Sequence, residues 1–341
     1  VWVPFSTYAQ ENSAQGSASS IERGTFIGAN PTEYPDWFKE SFLEFSDDIA
    51  EAAEEGKRVL IIFQQDGCPY CNLLVERNLS QKNILELVQQ KFDVISINIW
   101  GDREVVTVGG QSYTEKEFSA ALKVQFTPTL LFFNEKGKAI LKLNGYLPPR
   151  DFLTALTYVA EHHETKTPYR DFVRAAHIGT SASQKALIAQ PFFQSPPHNL
   201  NVHAESRPLA VFFEQLECPN CETLHNKVLA DPEVSKFLDD FDVVQLDMWS
   251  NDQLTDIEGN KRSIRDWASS LDISYAPTIV LFDRNGEEVI RSEAWFRKFH
   301  TSGLFEYVSS EAFLEQPNFQ RYLSDRADHL IEQGIDVNIW E

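Results

Sequence analysis

Cysteine is scarce in this 341-residue chain, and all four copies fall in two short motifs, Cys68-Pro69-Tyr70-Cys71 and Cys218-Pro219-Asn220-Cys221. None is left to cross-link distant segments, and a chain of this length buries enough apolar surface to fold without such staples. The cysteines are therefore read as chemical rather than structural. Long apolar runs are also missing: the longest are roughly five residues, against the ~18 needed to span a bilayer, so any membrane contact must come through a partner. Positive charge is thin, with 30 Lys and Arg against 51 Asp and Glu and a formal net charge of −21. Such a surface repels nucleic-acid phosphates and anionic lipid, which leaves either a solvated exterior or a basic docking partner. The eight histidines form no pair at zinc-helix spacing. No metal is expected, and they are read as surface or linker residues.

What is present is a duplication. Val59-Leu60-Ile61-Ile62-Phe63 leads to the first Cys-x-x-Cys, and Leu209-Ala210-Val211-Phe212-Phe213 leads likewise to the second. The offset between the copies is 150 residues at Cys68/Cys218 and 149 at Trp100/Trp249 and Pro128/Pro277. At the later offset Gly110, Phe118, Leu122, Gly137 and Tyr158 match Gly259, Trp267, Leu271, Gly286 and Tyr307. Landmarks of fold and of chemistry recur together, so this is a tandem duplication of two domains rather than a solenoid.

Within the first copy, Trp37, Phe38, Phe42, Phe45, Ile49 and Ala52 recur at three- and four-residue spacing and predict one or two amphipathic helices. Residues 59–63 and 92–100 read as strands, 101–113 as a loop, and Thr114 with Glu117 as a capping box, with Ser263 and Asp266 a weaker copy. Residues 129–133 and 139–143 flank a turn and predict a hairpin, and a closing helix runs from 149 to 162. Tyr169, Phe172 and Val173 mark a short aromatic helix, echoed by Phe319, Tyr322 and Leu323 after the second copy. Trp100, Trp249, Phe118 and Trp267 are expected in the core. The resulting division is a leader over 1–33, a first domain over 34–178, a linker over 179–204 around Ser195-Pro196-Pro197, a second domain over 205–333 and a tail over 334–341. The linker composition implies two independently folded units with few contacts between them.

A strand feeding Cys-x-x-Cys at a helix start is a redox signature. The helix N-terminus offers unpaired N–H groups and partial positive charge to the first sulfur, favouring the reactive thiolate. Cys68 and Cys218 are thus the expected nucleophiles, and Cys71 and Cys221 the cysteines that resolve the mixed disulfide. Zinc binding is the competing use of such pairs, but ribbons space their pairs by ~15–20 residues, whereas these sit in separate repeats.

With strand, Cys-x-x-Cys, helix, strand and helix leading to Thr127-Pro128-Thr129 or Ala276-Pro277-Thr278, each half resembles the thioredoxin superfamily, over about 35–160 and 205–310. The resemblance implies an α/β fold of two tandem thioredoxin-like domains, each a central mixed sheet flanked by helices and here followed by a helical extension. It also implies that Pro128 and Pro277 follow cis bonds and face the dithiols, with Thr127 and Ala276 offering backbone groups to an extended protein substrate. Trp37-Phe38-Lys39-Glu40-Ser41-Phe42, the stretch 98–103 and Gly145-Tyr146 are similar, more narrowly, to periplasmic SoxW-like thioredoxins of sulfur-oxidising bacteria. That likeness implies a reductase of protein disulfides, without cofactor, recharged by a membrane thiol carrier of the DsbD/CcdA type. The start of the chain, apolar and then Thr7-Tyr8-Ala9, resembles the end of a secretory signal cut near Ala9, though a disordered tail reads the same way. Pro-Tyr between the first cysteines resembles glutaredoxins, whose potentials lie at about −200 to −230 mV, so the direction of electron flow stays open. One departure stands out: the buried acid that many thioredoxins carry six residues before the first cysteine is replaced by Ile62 and Phe212, so proton transfer must use water or another group, with Glu214 a candidate in the second copy only. A second use of the fold, as a binding or chaperone module with a single important site, remains an alternative.

Overall fold

The computed structural model describes residues 22–177, 186–202, 207–294 and 296–340. The expected signal cut near Ala9 and residues 179–185 and 203–204 of the linker lie outside them. After a short strand β1 (Phe26–Ile27), the first domain runs α1 (Phe45–Glu54), β2 (Arg58–Gln64), α2 (Pro69–Leu73), α3 (Lys82–Lys91) and β3 (Phe92–Asn98). A small hairpin β4 (Glu104–Val106) and β5 (Ser112–Thr114) and α4 (Glu115–Ala121) lead to β6 (Thr129–Phe133), β7 (Ala139–Asn144), α5 (Pro149–Ala160) and α6 (Tyr169–His177). The second domain repeats this order: β8 (Leu209–Glu214), α7 (Pro219–Thr223), α8 (Pro232–Ser235), β9 (Asp242–Asp247), β10 (Gln253–Thr255), β11 (Lys261–Ser263) and α9 (Ile264–Ser270). It ends with β12 (Thr278–Phe282), β13 (Glu288–Ser292), α10 (Lys298–Ser309), α11 (Phe319–Glu332) and β14 (Val337–Asn338).

Each domain is built on a four-stranded mixed sheet, ordered β3-β2-β6-β7 and β9-β8-β12-β13. The central strand pairs parallel with the strand after its helices and antiparallel with the strand after the proline. Helices cover both faces, which is why β2 and β8 are continuous apolar runs rather than alternating ones. The capping box at Thr114 and Glu117 forms in full, and Ser263 accepts from the Asp266 N–H in the weaker copy.

Several expectations need correction. The leader and tail are not loose where they are described: β1 and β14 pair in parallel, and the Thr25 N–H and hydroxyl both donate to Asp336. Residues 186–202, read as linker, lie against the second domain and bond to its backbone. The Gln194 N–H donates to Val243 O just as Lys39 N–H donates to Val94 O, and Asn199 bridges Thr255 as Glu44 bridges Val106. The helix α1 has no counterpart among the described residues there. The 101–113 loop contains the β4–β5 hairpin. Phe42 is 96% exposed, because Leu43 adopts φ 62° and turns itself and Phe45 into the core instead.

The largest correction concerns the contact between domains. One hydrophobic core runs from Leu60, Phe126 and Phe152 of the first domain to Phe212, Phe296 and Phe305 of the second. Each C-terminal helix also reaches across. Arg170 of α6 lies 4.4 Å over the Trp249 ring and donates to Met248 O, while Arg321 of α11 lies 5.2 Å over Trp100. Trp100 and Trp249 are therefore half-buried interface residues, whereas Phe118 and Trp267 are core as expected. Few-contact independence does not describe this chain.

Candidate active site

In both domains the central strand delivers its cysteine pair to a helix start. Cys68 and Cys218 sit at the N-cap of α2 and α7 with extended backbone, and Pro69 and Pro219 open the helix, where their missing N–H costs nothing. The sulfur of Cys68 accepts the Cys71 N–H at 3.1 Å, and Cys218 accepts the Cys221 N–H at the same distance. Cys68 is bonded to Cys71 and Cys218 to Cys221, so both pairs are oxidised. On reduction, the same N–H group stabilises a thiolate on the first sulfur, by the charge-assisted bond a helix start provides.

The peptide bonds Thr127–Pro128 and Ala276–Pro277 are cis. Thr129 and Thr278 open the following strands, and their hydroxyls donate back to Phe126 O and Tyr275 O, fixing each loop. The residue before the first cysteine has positive φ in both copies, Gly67 at 69° and Glu217 at 54°. Glycine suits that conformation in the first copy, while the second holds a side chain there against its preference.

The two copies diverge in what lies behind the dithiol. Glu214, at the end of β8, is buried with one carboxylate oxygen 2.7 Å from His225 Nε2 and the other accepting from Gln245 Nε2 at 3.0 Å. His225 lies one helical turn beyond Cys221 and is fully buried, which corrects its reading as a surface residue. The corresponding residues of the first copy, Gln64, Val75 and Ser96, form no such pair. Glu214 is thus present as expected, but held in a polar cluster whose second member the sequence reading missed.

Each cysteine motif is also touched by the opposite domain. The Tyr70 ring meets Phe296 edge-on at 5.1 Å and His300 at 5.2 Å, and its hydroxyl accepts the Arg297 N–H at 2.9 Å. In the second copy, one oxygen of Asp151 accepts from Tyr275 Oη at 2.9 Å and from Asn220 Nδ2 at 3.3 Å. Burial raises both phenols, Tyr70 and Tyr275, well above 10, so they act as neutral hydroxyls. Burial, with Arg326 nearby, pushes His300 down to about 4. The contacts match by position, since His300 and Asp151 start equivalent helices. No spacing in either half reports a contact made by the other, so the sequence carried no sign of them.

Among the described residues no group of His, Cys, Asp and Glu could hold a metal ion, and no helix is long and apolar enough to cross a membrane. A thioredoxin-fold protein from Helicobacter pylori is 21% identical, over 40% of this chain and 93% of that one, with a TM-score of 0.31. A thioredoxin from Thermus thermophilus is 26% identical over 34% and 82%, with a TM-score of 0.27. A disulphide isomerase from Xylella fastidiosa Temecula1 is 18% identical over 43% and 98%, with a TM-score of 0.24. No curated protein matches the chain. The family model described as a thioredoxin-like domain matches residues 45–160 and again 200–298. Because those two stretches take in more than half of the sequence, and each encloses a cysteine pair and a cis-proline, the chain belongs to the thioredoxin-like domain family, twice over.

Proposed function

We propose that the chain is a thiol-disulfide oxidoreductase with two active dithiols, Cys68/Cys71 and Cys218/Cys221. The observation that carries this reading is the repeated arrangement of an N-cap cysteine accepting a backbone N–H, a second cysteine one turn on, and a cis-proline loop before the next strand. In each domain the first cysteine attacks a disulfide of a protein substrate as its thiolate, forming a mixed disulfide, and the second displaces the substrate, leaving it reduced and the chain oxidised. Thr127, Pro128, Ala276 and Pro277 hold the substrate backbone. The likeness of the first half to SoxW-like thioredoxins supports a periplasmic reductase fed by a DsbD/CcdA-type membrane thiol carrier.

The test is trapping. Cys71→Ser should accumulate mixed disulfides through Cys68 when the chain meets a reducible protein such as insulin, and Cys221→Ser should do so through Cys218. If neither variant traps a partner and the full chain reduces nothing, the catalytic reading fails. Activity surviving in only one single-site variant would favour the binding-module alternative. Redox potentials measured against glutathione decide the direction: values well above those of reductants would count against a reductase.

A further inference from the structure

The two sites are related by repetition but not by reach. We propose that the second dithiol is the port at which the closed chain exchanges with partner proteins, while the first is withheld from them by a plug, Phe296 of the second domain, until the domains part. This rests on the reading of both pairs as exchanging dithiols.

A partner's sulfur must approach the first cysteine through the cleft between the cysteine motif and the cis-proline loop. In the first domain those walls are Tyr70 and Phe126, and the Phe296 ring touches both: edge-on to Tyr70, and stacked on Phe126 at 5.0 Å and 13°. The Arg297 N–H fastens the plug to the Tyr70 hydroxyl. On another side, Asn30 O accepts from Asn72 Nδ2, and Ala29 lies against Gly67 so closely that a Cβ there would meet its side chain at 3.1 Å. Cys68 is left 1% exposed, and Pro69 and Tyr70 are buried with it.

Among the described residues the opposite domain meets the second motif through Asp151, and Cys218 itself is 4% exposed. Asp151 bridges Asn220 and Tyr275 by hydrogen bonds, which water can replace at little cost, rather than by a buried ring. Pro219 is exposed and Asn220 half-exposed, and Leu216, two residues before Cys218, presents an apolar side chain that is 40% exposed. A partner can seat on that rim without moving the first domain. Its thiolate attacks Cys218 Sγ, the bond to Cys221 breaks, and Cys221 leaves as a thiolate that takes up a proton. The partner's second thiol then displaces Cys218, so the partner dithiol is oxidised as the chain's pair is reduced. The same event at Cys68 first requires Phe296 to leave.

The experiment starts from the oxidised full-length chain, exposed either to a small phosphine or to a reduced single-domain thioredoxin, quenched with N-ethylmaleimide and mapped by peptide mass. The phosphine rate at each pair serves as its own reference, so differences in sulfur chemistry cancel. Relative to phosphine, the protein dithiol should open Cys218–Cys221 at least about tenfold faster than Cys68–Cys71. Phe296→Ala should bring the first pair up to the second and leave the second unchanged. Phe296→Leu, a smaller loss of volume, should raise the first pair part of the way and covers the case in which the alanine variant does not fold. Equal relative rates at the two pairs in the wild-type chain overturn the proposal, as does a folded Phe296 variant that leaves the first pair unchanged. The assay counts accessible disulfides rather than turnover. A chain that opens in this order yet reduces no substrate removes the function proposed above and keeps the plug, and a chain active at both sites with equal access does the reverse.

Discussion

Asn144 and Glu293 occupy the same position in the two repeats and are bonded to each other, Nδ2 to Oε2 at 2.6 Å. Beside them Gly145 faces Ala294, again equivalent positions, and a Cβ on Gly145 would come within 3.2 Å of the alanine methyl. Like meeting like is the mark of a local two-fold axis, the relation expected of an isologous dimer whose two subunits have been fused. Around such an axis matching positions of the two domains face each other's sites, although the side chains they carry differ. Phe296 and His300 lean on Tyr70, and Asp151 holds Asn220.

Separating the repeats should therefore be costly. A fragment covering 22–177 loses the partners of Tyr70, Phe126 and Trp100, and one covering 186–340 loses those of Phe296, Tyr275 and Trp249. Each exposed aromatic forfeits on the order of 1.5–3 kcal/mol of burial, a large share of a domain's 5–15. The expected outcome is fragments that bind a hydrophobic dye and melt well below the intact chain, or that precipitate. Two fragments that melt at the temperature of the full chain would show that the shared core contributes little.

Acid should loosen the same interface through His300. Its pKa in the folded chain is held down to about 4, below the usual 6.5, by burial and by Arg326. A depressed histidine binds its proton more readily in the unfolded chain, so the stability it contributes is complete above about pH 6.5 and is lost progressively as pH falls toward 4. Glu293 acts in the opposite sense: burial raises its carboxyl, so its contribution is lost as pH rises. Denaturant midpoints should fall between pH 6.5 and 4, and His300→Gln should flatten that slope while Glu293→Gln, which removes the opposing contribution, should steepen it. An unchanged slope in His300→Gln would assign the acid sensitivity elsewhere.

The sequence was most legible where structure is local. The strand, the N-cap cysteine, the helix-opening proline and the capping box at Thr114 each lie within a few residues, and the repeat offered every such signal twice. It was least legible where a contact joins distant positions. Tyr70 lies 227 residues from the backbone it bonds, and nothing in Cys-Pro-Tyr-Cys shows that its tyrosine is a docking residue. Two-residue strands such as β1 and β14 are too short for alternation to register, so they read as leader and tail. His225 and Glu214 are eleven residues apart, on a helix and a strand, and only the fold brings the ring to the carboxylate.

That buried pair should be more visible in stability than any other polar contact of the second domain. Removing His225 leaves the Glu214 carboxyl with Gln245 as its remaining donor in a site without solvent, and breaking a buried pair of this kind costs about 3–5 kcal/mol. His225→Leu should show that loss, and adding Glu214→Leu should recover much of it, because no polar group is then stranded. Urea unfolding of the two single variants and the double variant measures the coupling. Additive losses would mean that the two side chains do not act as a pair.

The two thiols should also ionise in a fixed order, Cys68 before Cys218. Exposed Glu222 follows Cys221 directly and Glu217 precedes Cys218, whereas the first site has Asn72 and Gly67 at those positions and an exposed Asp66 one residue further off. The opposite domain adds to the contrast by setting the Asp151 carboxyl against Asn220 but an N–H donor and a neutral imidazole against Tyr70. Nearby negative charge opposes a thiolate and works against the N–H bond each first sulfur accepts, and screening keeps the gap to about one pKa unit or less. A thiolate that is harder to form makes its disulfide harder to reduce, so the second pair should have the lower potential. Asp151→Asn removes the charge while keeping the hydrogen bond to Asn220 within reach, and should lower the pH at which Cys218 ionises without moving Cys68. Thiolate absorbance against pH, recorded on full-length variants retaining one cysteine each, makes the comparison. A Cys218 that ionises at or below the pH of Cys68, or that ignores Asp151→Asn, would remove the electrostatic basis for the ordering.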